Sequence, residues 1–359
     1  MECVTGYLQT YDWGPVDGLA AWTAATGGPQ AELWFGSHGN GASPRRDGRG
    51  PATTPLTILT KILAAARPLS IQIHPPAAMA ADMFAGQQVD SQTPQLVSDP
   101  HGKAEILIAF EPFVILEGFR DPTLSARAFA QLGPDMALVA EALAGADLPG
   151  AITWLLAMAP ADVPALASRL PEALAMAGMS SHTVDTISEV VTAFPGDPGV
   201  FVAALLNART LQPGQAVYVD PGTVHAYVRG LGLEVMTNSD NVLRLGLTSK
   251  TVAVEAALAA LDLSAQPYPC DPQDVDGVRS YAPPGAPFRV ELVREATVET
   301  VTGHARIVVC LDGGVSAADT VLSKGDAVLL AADDPAVPVQ VTGVAIVAHH
   351  TTGEEHGAG

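Results

Sequence analysis

The chain has 359 residues, 48 % hydrophobic and 16 % charged, which gives enough apolar material for a sizeable core and excludes global disorder. At this length two or three modules are expected rather than one core. Its 18 Lys and Arg against 38 Asp and Glu leave a net charge of -20, a field that repels nucleic acid and anionic membrane surfaces. Cys3, Cys270 and Cys310 are scattered and odd in number, so they make neither a disulfide framework nor a CxxC metal site. They fit a reducing cytoplasm, and the start, Met1 to Gly6, lacks the basic and apolar regions of a signal peptide. No apolar run approaches the ~20 residues of a membrane helix.

Residues 1 to about 120 read as short strands between Gly- and Pro-rich loops, with an Ala-rich segment, Thr57 to Ala66, expected to be helical. Ser37 to Pro55 is too polar and glycine-rich to be an element. In Pro68-Leu69-Ser70-Ile71-Gln72-Ile73-His74-Pro75, strand alternation puts Gln72 and His74 on one face and Ile71 and Ile73 on the other. In His101-Gly102-Lys103-Ala104-Glu105-Ile106-Leu107-Ile108, Glu105 opens an apolar strand, where a carboxylate is costly unless it meets a cation. From Thr123 to Ala204 the texture is helical: Phe129, Leu132, Met136, Val139 and Leu143 recur at that spacing.

Strand texture returns over Gln215 to Leu247. There Gly214-Gln215-Ala216-Val217-Tyr218-Val219 leads into a tight Pro221-Gly222 turn, and the strand that follows presents His225. Thr251 to Leu263 is an Ala-rich helix. Short alternating runs at Phe288–Val293, Ala305–Leu311, Ala327–Leu330, Val337–Val341 and Ala345–His349 predict a small β-sandwich or jelly roll. Asp312-Gly313-Gly314 reads as a hairpin turn.

The segment 214–227 resembles the second metal-binding motif of cupins, with Asp220 in place of the usual proline two before the glycine. His74 or His225 alone would be an ordinary hydrogen-bonded core histidine. With Gln72 and Glu105 they offer two imidazoles, a carboxylate and an amide oxygen, a mixture that suits a borderline divalent ion with zinc as the default. Arg244 and Lys250 lie in an apolar, strand-like segment and are cations suited to an anionic ligand.

Several blocks of the chain resemble the type I mannose-6-phosphate isomerases. They are Tyr11-Asp12-Trp13-Gly14, Ala31-Glu32-Leu33-Trp34-Phe35-Gly36, Lys61 through Pro75, Lys103 to Glu105, Gly118-Phe119-Arg120, Gly222 through Tyr227, and Glu234 through Lys250. The run Ser239-Asp240-Asn241-Val242-Leu243-Arg244-Leu245-Gly246-Leu247-Thr248-Ser249-Lys250 is close to that family's signature. The resemblance implies a mainly β protein with an α-helical insertion, built from cupin barrels: a catalytic cupin domain (1–120 and 208–262), a helical domain (121–207) and a C-terminal jelly-roll domain (263–359). It implies a cytoplasmic, monomeric aldose–ketose isomerase that interconverts mannose 6-phosphate and fructose 6-phosphate and feeds GDP-mannose metabolism.

By position, Gln72, His74, Glu105 and His225 match the ligands of a single zinc ion, and Arg244 matches an arginine essential to turnover. Lys103 and Glu234 are further catalytic candidates. Lys250, Asp240, Trp13, Ser70, Lys61 and Glu32 match residues lining the substrate cavity. Among Glu234, Lys103 and Lys250 the sequence does not choose the base. One departure stands out: the family's His-Lys-Pro-Glu is here Gly102-Lys103-Ala104-Glu105. Two other readings of the motifs are a metal-dependent cupin dioxygenase and a non-catalytic sugar-phosphate binding module. The Gln72-x-His74 opening weighs against the first, which would more commonly use His-x-His and iron.

Overall fold

In the computed structural model, which describes residues 1–89 and 94–351, the strands gather into two large sheets. Residues 352–359, the end of the expected C-terminal domain, lie outside the described residues. The first twelve strands are β1 (Glu2–Thr5), β2 (Tyr7–Gln9), β3 (Glu32–Phe35), β4 (Ile58–Ala65), β5 (Gln72–Ile73), β6 (Glu105–Ala109), β7 (Phe113–Phe119), β8 (Leu206–Leu211), β9 (Ala216–Val219), β10 (His225–Thr237), β11 (Leu243–Arg244) and β12 (Tyr268–Cys270). The rest are β13 (Asp274–Val275), β14 (Val278–Tyr281), β15 (Phe288–Arg294), β16 (Thr297–Glu299), β17 (Arg306–Ala317), β18 (Thr320–Ser323), β19 (Asp326–Leu330) and β20 (Pro338–His350).

The long strand β10 organises the first sheet. Its opening residues pair with β5 and β7, and its later residues lie between β4 and β6. Alternation then sorts the side chains. Leu63, Leu107, Phe113, Val217 and Tyr227 fill the space enclosed by the curved sheet. Leu33, Ile62, Ile106, Ile108 and Val235 point the other way, against Val290, Leu292, Ile307 and Ile346 of the second sheet. Ile71, Leu116, Ala226 and Val228 meet a helical layer through Phe129, Ile152, Leu174 and Phe201. Strands buried on both faces lose the clean alternation of a half-exposed sheet.

That layer comprises most of the helices. α1 (Ala77–Val89) precedes it, and α2 (Pro122–Gln131), α3 (Ala137–Ala144), α4 (Leu148–Leu156), α5 (Val163–Ala167), α6 (Leu170–Met176), α7 (Ser181–Ala193) and α8 (Gly199–Ala203) form it, with α9 (Val254–Ala260) later. Their starts are written in the sequence. Asp121 accepts the Thr123 N–H ahead of α2, Asp147 the Gly150 N–H of α4, and Ser180 the Thr183 N–H of α7.

The helix expected over Thr57 to Ala66 is instead strand β4, paired with β3 and β10 along its length. A short, mostly apolar run carries no period that separates a doubly buried strand from a helix, and Ile58, Thr60 and Ile62 favour the strand. Asp312-Gly313-Gly314 is not a hairpin turn but a stretch of β17 paired with β20, just past a bulge at Leu311. Gly313 there has a φ of 66°, and a Cβ on it would collide with the Thr342 carbonyl oxygen. The Pro221-Gly222 turn forms as expected, with the Thr223 N–H donating to the Asp220 carbonyl at 3.1 Å and Gly222 at φ 87°. The strands it joins are not partners, because β6 lies between them.

Two strands cross the expected domain limits: β12 pairs with β9 in the first sheet, and β1 pairs with β19 at the edge of the second. Glu2 in β1 also receives the Thr53 N–H, the Thr53 hydroxyl and the Thr54 N–H at 2.6–2.9 Å, and Arg45 stands 3.1 Å away. Burial alone would raise its pKa, but these bonds from Thr54 and Thr53 outweigh it and hold the carboxyl at about 2. A depressed carboxyl contributes stability above the ordinary value of 4.5, which is lost as pH falls toward 2. Glu2→Gln is therefore expected to melt below the parent at neutral pH, with the gap closing under acid. Melting curves of both proteins from neutral pH to about pH 2 check this.

Candidate active site

His74 follows β5, Glu105 opens β6 and His225 opens β10, so three strand ends deliver one side chain each to the same buried point. Their metal-capable atoms lie within 4.8 Å of one another. His74 Nδ1 is 3.0 Å from the Asn241 carbonyl and His225 Nδ1 is 3.1 Å from the Thr223 carbonyl. A carbonyl only accepts, so each ring carries its proton on Nδ1 and turns the Nε2 lone pair inward. His74 Nε2 is 3.0 Å from Glu105 Oε2, and His225 Nε2 is 3.0 Å from Oε1. Burial, reinforced by Lys103, lowers His74 to about 4, so the ring is neutral at physiological pH.

Electron pairs therefore face electron pairs around the carboxylate. His225 Nε2 is buried without a hydrogen-bond partner, and a cation between these groups is what the arrangement lacks. Two imidazoles and a carboxylate with this spacing fit a divalent ion. Gln72 sits directly opposite His225 across the β5–β10 pairing, which puts its side chain on the same face.

Two further groups brace the carboxylate. Lys103 Nζ is 2.9 Å from Glu105 Oε2, and the Tyr227 hydroxyl donates to Oε1 at 2.9 Å. Burial would raise Glu105, yet Lys103 prevails and holds it well below the usual carboxylate range. Tyr227 did not stand out in the sequence as a site residue. Its signal was there, since it lies two positions after His225 in a strand and so shares its face. Glu117, also opposite His225, is engaged at both oxygens by Arg209, at 2.8 and 3.1 Å.

Deeper in the enclosure Lys61 is clasped by Glu234 and lies 3.6 Å from Glu32. Trp34 donates its indole N–H to Glu32 at 2.8 Å, and the Lys61 ammonium sits 5.5 Å from the Trp34 ring centre. Burial would strip the Lys61 proton, but Glu234 and Glu32 override it and raise its pKa, so Lys61 stays charged. Burial pushes Glu234 upward against the pull of Lys61.

At the rim, Asp240 is held by the Asn40 amide and lies 3.4 Å from His38 Nε2. Trp13 stacks on Tyr11 and packs with Leu69 against the inner lining, and Ser70 is half-buried just before β5. Arg244 faces Gln72 across the β11–β5 pairing, which sets Arg244, Gln72 and His225 in one row. With Lys250, Arg244 borders a cleft of about 210 Å³. Among the described residues neither cation forms an ion pair, although the chain as a whole is strongly acidic.

The phosphomannose isomerase type I catalytic-domain family matches residues 49–122. The mannose-6-phosphate isomerase of Escherichia coli K12 is 30% identical over 301 residues, which span 74% of this chain and 76% of that protein. The chain belongs to the mannose-6-phosphate isomerase family. The Salmonella typhimurium relative is 29% identical across 96% of this chain and 98% of its own length. A crystal structure of the Salmonella enzyme bound to its substrate and a zinc atom superposes with a TM-score of 0.84 at 26% identity, covering 98% of this chain and 100% of that one. A structure of mannose 6-phosphate isomerase bound with zinc and yttrium gives 0.83 at 25%.

Where the family pattern has a histidine beside Lys103, this chain has Gly102, and the structure gives a reason. A Cβ there would stand 3.0 Å from the Ala77 nitrogen and 3.2 Å from its Cα, at the start of α1. A side chain at 102 would need the start of that helix to give by a few tenths of an ångström.

The charge balance around Lys61 is the part of the site most sensitive to substitution. Lys61→Met is expected to leave Glu32 and Glu234 buried without their cation, at a cost of about 3–5 kcal/mol. Denaturant unfolding of the variant against the parent measures it.

Proposed function

We propose that this chain interconverts mannose 6-phosphate and fructose 6-phosphate, using one zinc ion held by Gln72, His74, Glu105 and His225. The observation that carries the proposal is the pair of imidazoles turning their Nε2 atoms onto one buried carboxylate, beside two cations that form no ion pair among the described residues. When bound there, a divalent ion polarises the sugar carbonyl and offsets charge on the C1 and C2 oxygens.

The protein's own groups do the rest. Isomerisation moves a proton between C1 and C2 through an enediol, so it needs a base, donors to the oxygens and a grip on the phosphate. Glu234 is raised by burial and oriented by Lys61, which suits a carboxylate that lifts a carbon-bound proton near neutral pH. Lys103, fixed against Glu105, is placed to donate to a substrate oxygen. Arg244 lies in line with Gln72 and presents a planar fork where negative charge develops, while Lys250 beside it receives the phosphate. Asp240 accepts from sugar hydroxyls at the rim. Trp13, Ser70, Glu32 and Lys61 complete the wall.

We also propose the division into a catalytic cupin domain, a helical domain over 121–207 and a C-terminal jelly roll, acting as a monomer in the cytoplasm. Among the described residues no helix is long and apolar enough to cross a membrane.

A coupled assay with mannose 6-phosphate tests the reading. Activity is expected to vanish with a strong chelator and to return with zinc. Arg244→Ala is expected to keep its metal by elemental analysis yet lose most turnover. A chelator-insensitive rate, or a variant of parental rate, contradicts the scheme.

A further inference from the structure

The loop before Lys103 and the loop after β10 meet at the fully buried side chain of Asn241. Its amide satisfies groups on both sides. Oδ1 accepts the Ser98 N–H at 2.7 Å and the Asp99 N–H at 3.3 Å. Nδ2 donates to the Asp99 carbonyl at 2.8 Å, the His101 carbonyl at 2.8 Å and Asp99 Oδ1 at 3.2 Å. Asp99 returns the grip, since its carboxylate accepts the Ser239 hydroxyl at 3.0 Å and the Asp240 N–H at 3.3 Å. Segment 98–101 is thus sewn to segment 239–241 through its backbone groups.

Two consequences follow for the ligands. The carbonyl of this same residue takes the His74 Nδ1 proton at 3.0 Å, so the tautomer of His74 depends on where Asn241 is held. The segment it clamps runs directly into Lys103 and Glu105, so the approach of the carboxylate depends on it as well. A hydrophobic side chain at 241 could fill the space but could satisfy none of these groups.

We propose that Asn241 is a positioning residue for the metal centre: its side chain fixes the His74 tautomer and the path of residues 98–101, and thereby sets zinc affinity. This rests on the zinc reading above. Groups that orient metal-binding histidines typically account for about 10–100-fold in metal affinity.

The test measures zinc affinity by competition with a chromogenic chelator, together with the histidine tautomer by ¹⁵N NMR of the metal-free protein at neutral pH. In the parent, His74 is expected to carry its proton on Nδ1. In Asn241→Ala the ring is expected to populate both tautomers and zinc to bind about 10–100-fold more weakly. A general loss of stability moves neither the tautomer nor the affinity of the folded fraction. Asn241→Asp keeps the acceptor for Ser98 and Asp99 but turns a carboxylate oxygen onto the Asp99 and His101 carbonyls and Asp99 Oδ1, so it is expected to bind zinc no more tightly than Ala.

Parental affinity and an unchanged tautomer in folded Asn241→Ala overturn the proposal. So does a parent whose His74 is protonated on Nε2, a result that needs no variant. A parent that binds no zinc overturns the metal reading itself, which separates the two failures.

Discussion

Everything at the centre of this protein depends on keeping the Glu105 carboxylate ionised out of water. An isolated buried carboxylate would take up a proton or unfold its surroundings. Here Lys103 and the Tyr227 hydroxyl approach it from the protein side, and two imidazoles, each locked by a backbone carbonyl, close the remaining directions. The fold serves this arrangement. Glu105 and His225 stand at strand ends, where the chain leaves the sheet, and the sheet itself is clamped between the helical layer and the second sheet. A ligand set assembled from three distant stretches of chain keeps its geometry only if those stretches are rigid.

The same logic extends outward. Lys61 between Glu32 and Glu234 is a second buried charge cluster, balanced within itself. Arg244 and Lys250 are the reverse case, cations free of ion pairs among the described residues. In a chain with a net charge of -20, such a pair at the rim is a local inversion of field, and it favours an anion there over the rest of the surface.

Much of this was legible in the sequence, for identifiable reasons. Period-two alternation placed Gln72 with His74, and the cost of a carboxylate at the head of an apolar strand singled out Glu105. Gly222, needing a positive φ, announced the turn before His225. What was not legible depends on tertiary surroundings. Thr57 to Ala66 reads as a helix until its neighbours bury both faces, and Asp312-Gly313-Gly314 reads as a turn until β20 is found alongside it throughout. The clasp of Asn241 on Ser98, Asp99 and His101 joins loops far apart in the chain, and Gly102 only makes sense once α1 is seen pressing on it.

Strand β1 has a further bearing on how the molecule comes into being. Glu2 pairs with Leu329 and Thr5 with Asp326, so these strand partners stand more than 300 residues apart in the chain. During translation β1 must wait, unpaired, until β19 has emerged. A contact of such long sequence separation closes late and slowly. Once made, it ties the edge of the second sheet to the stretch that leads into β2 of the first, so neither can loosen there without disturbing the other.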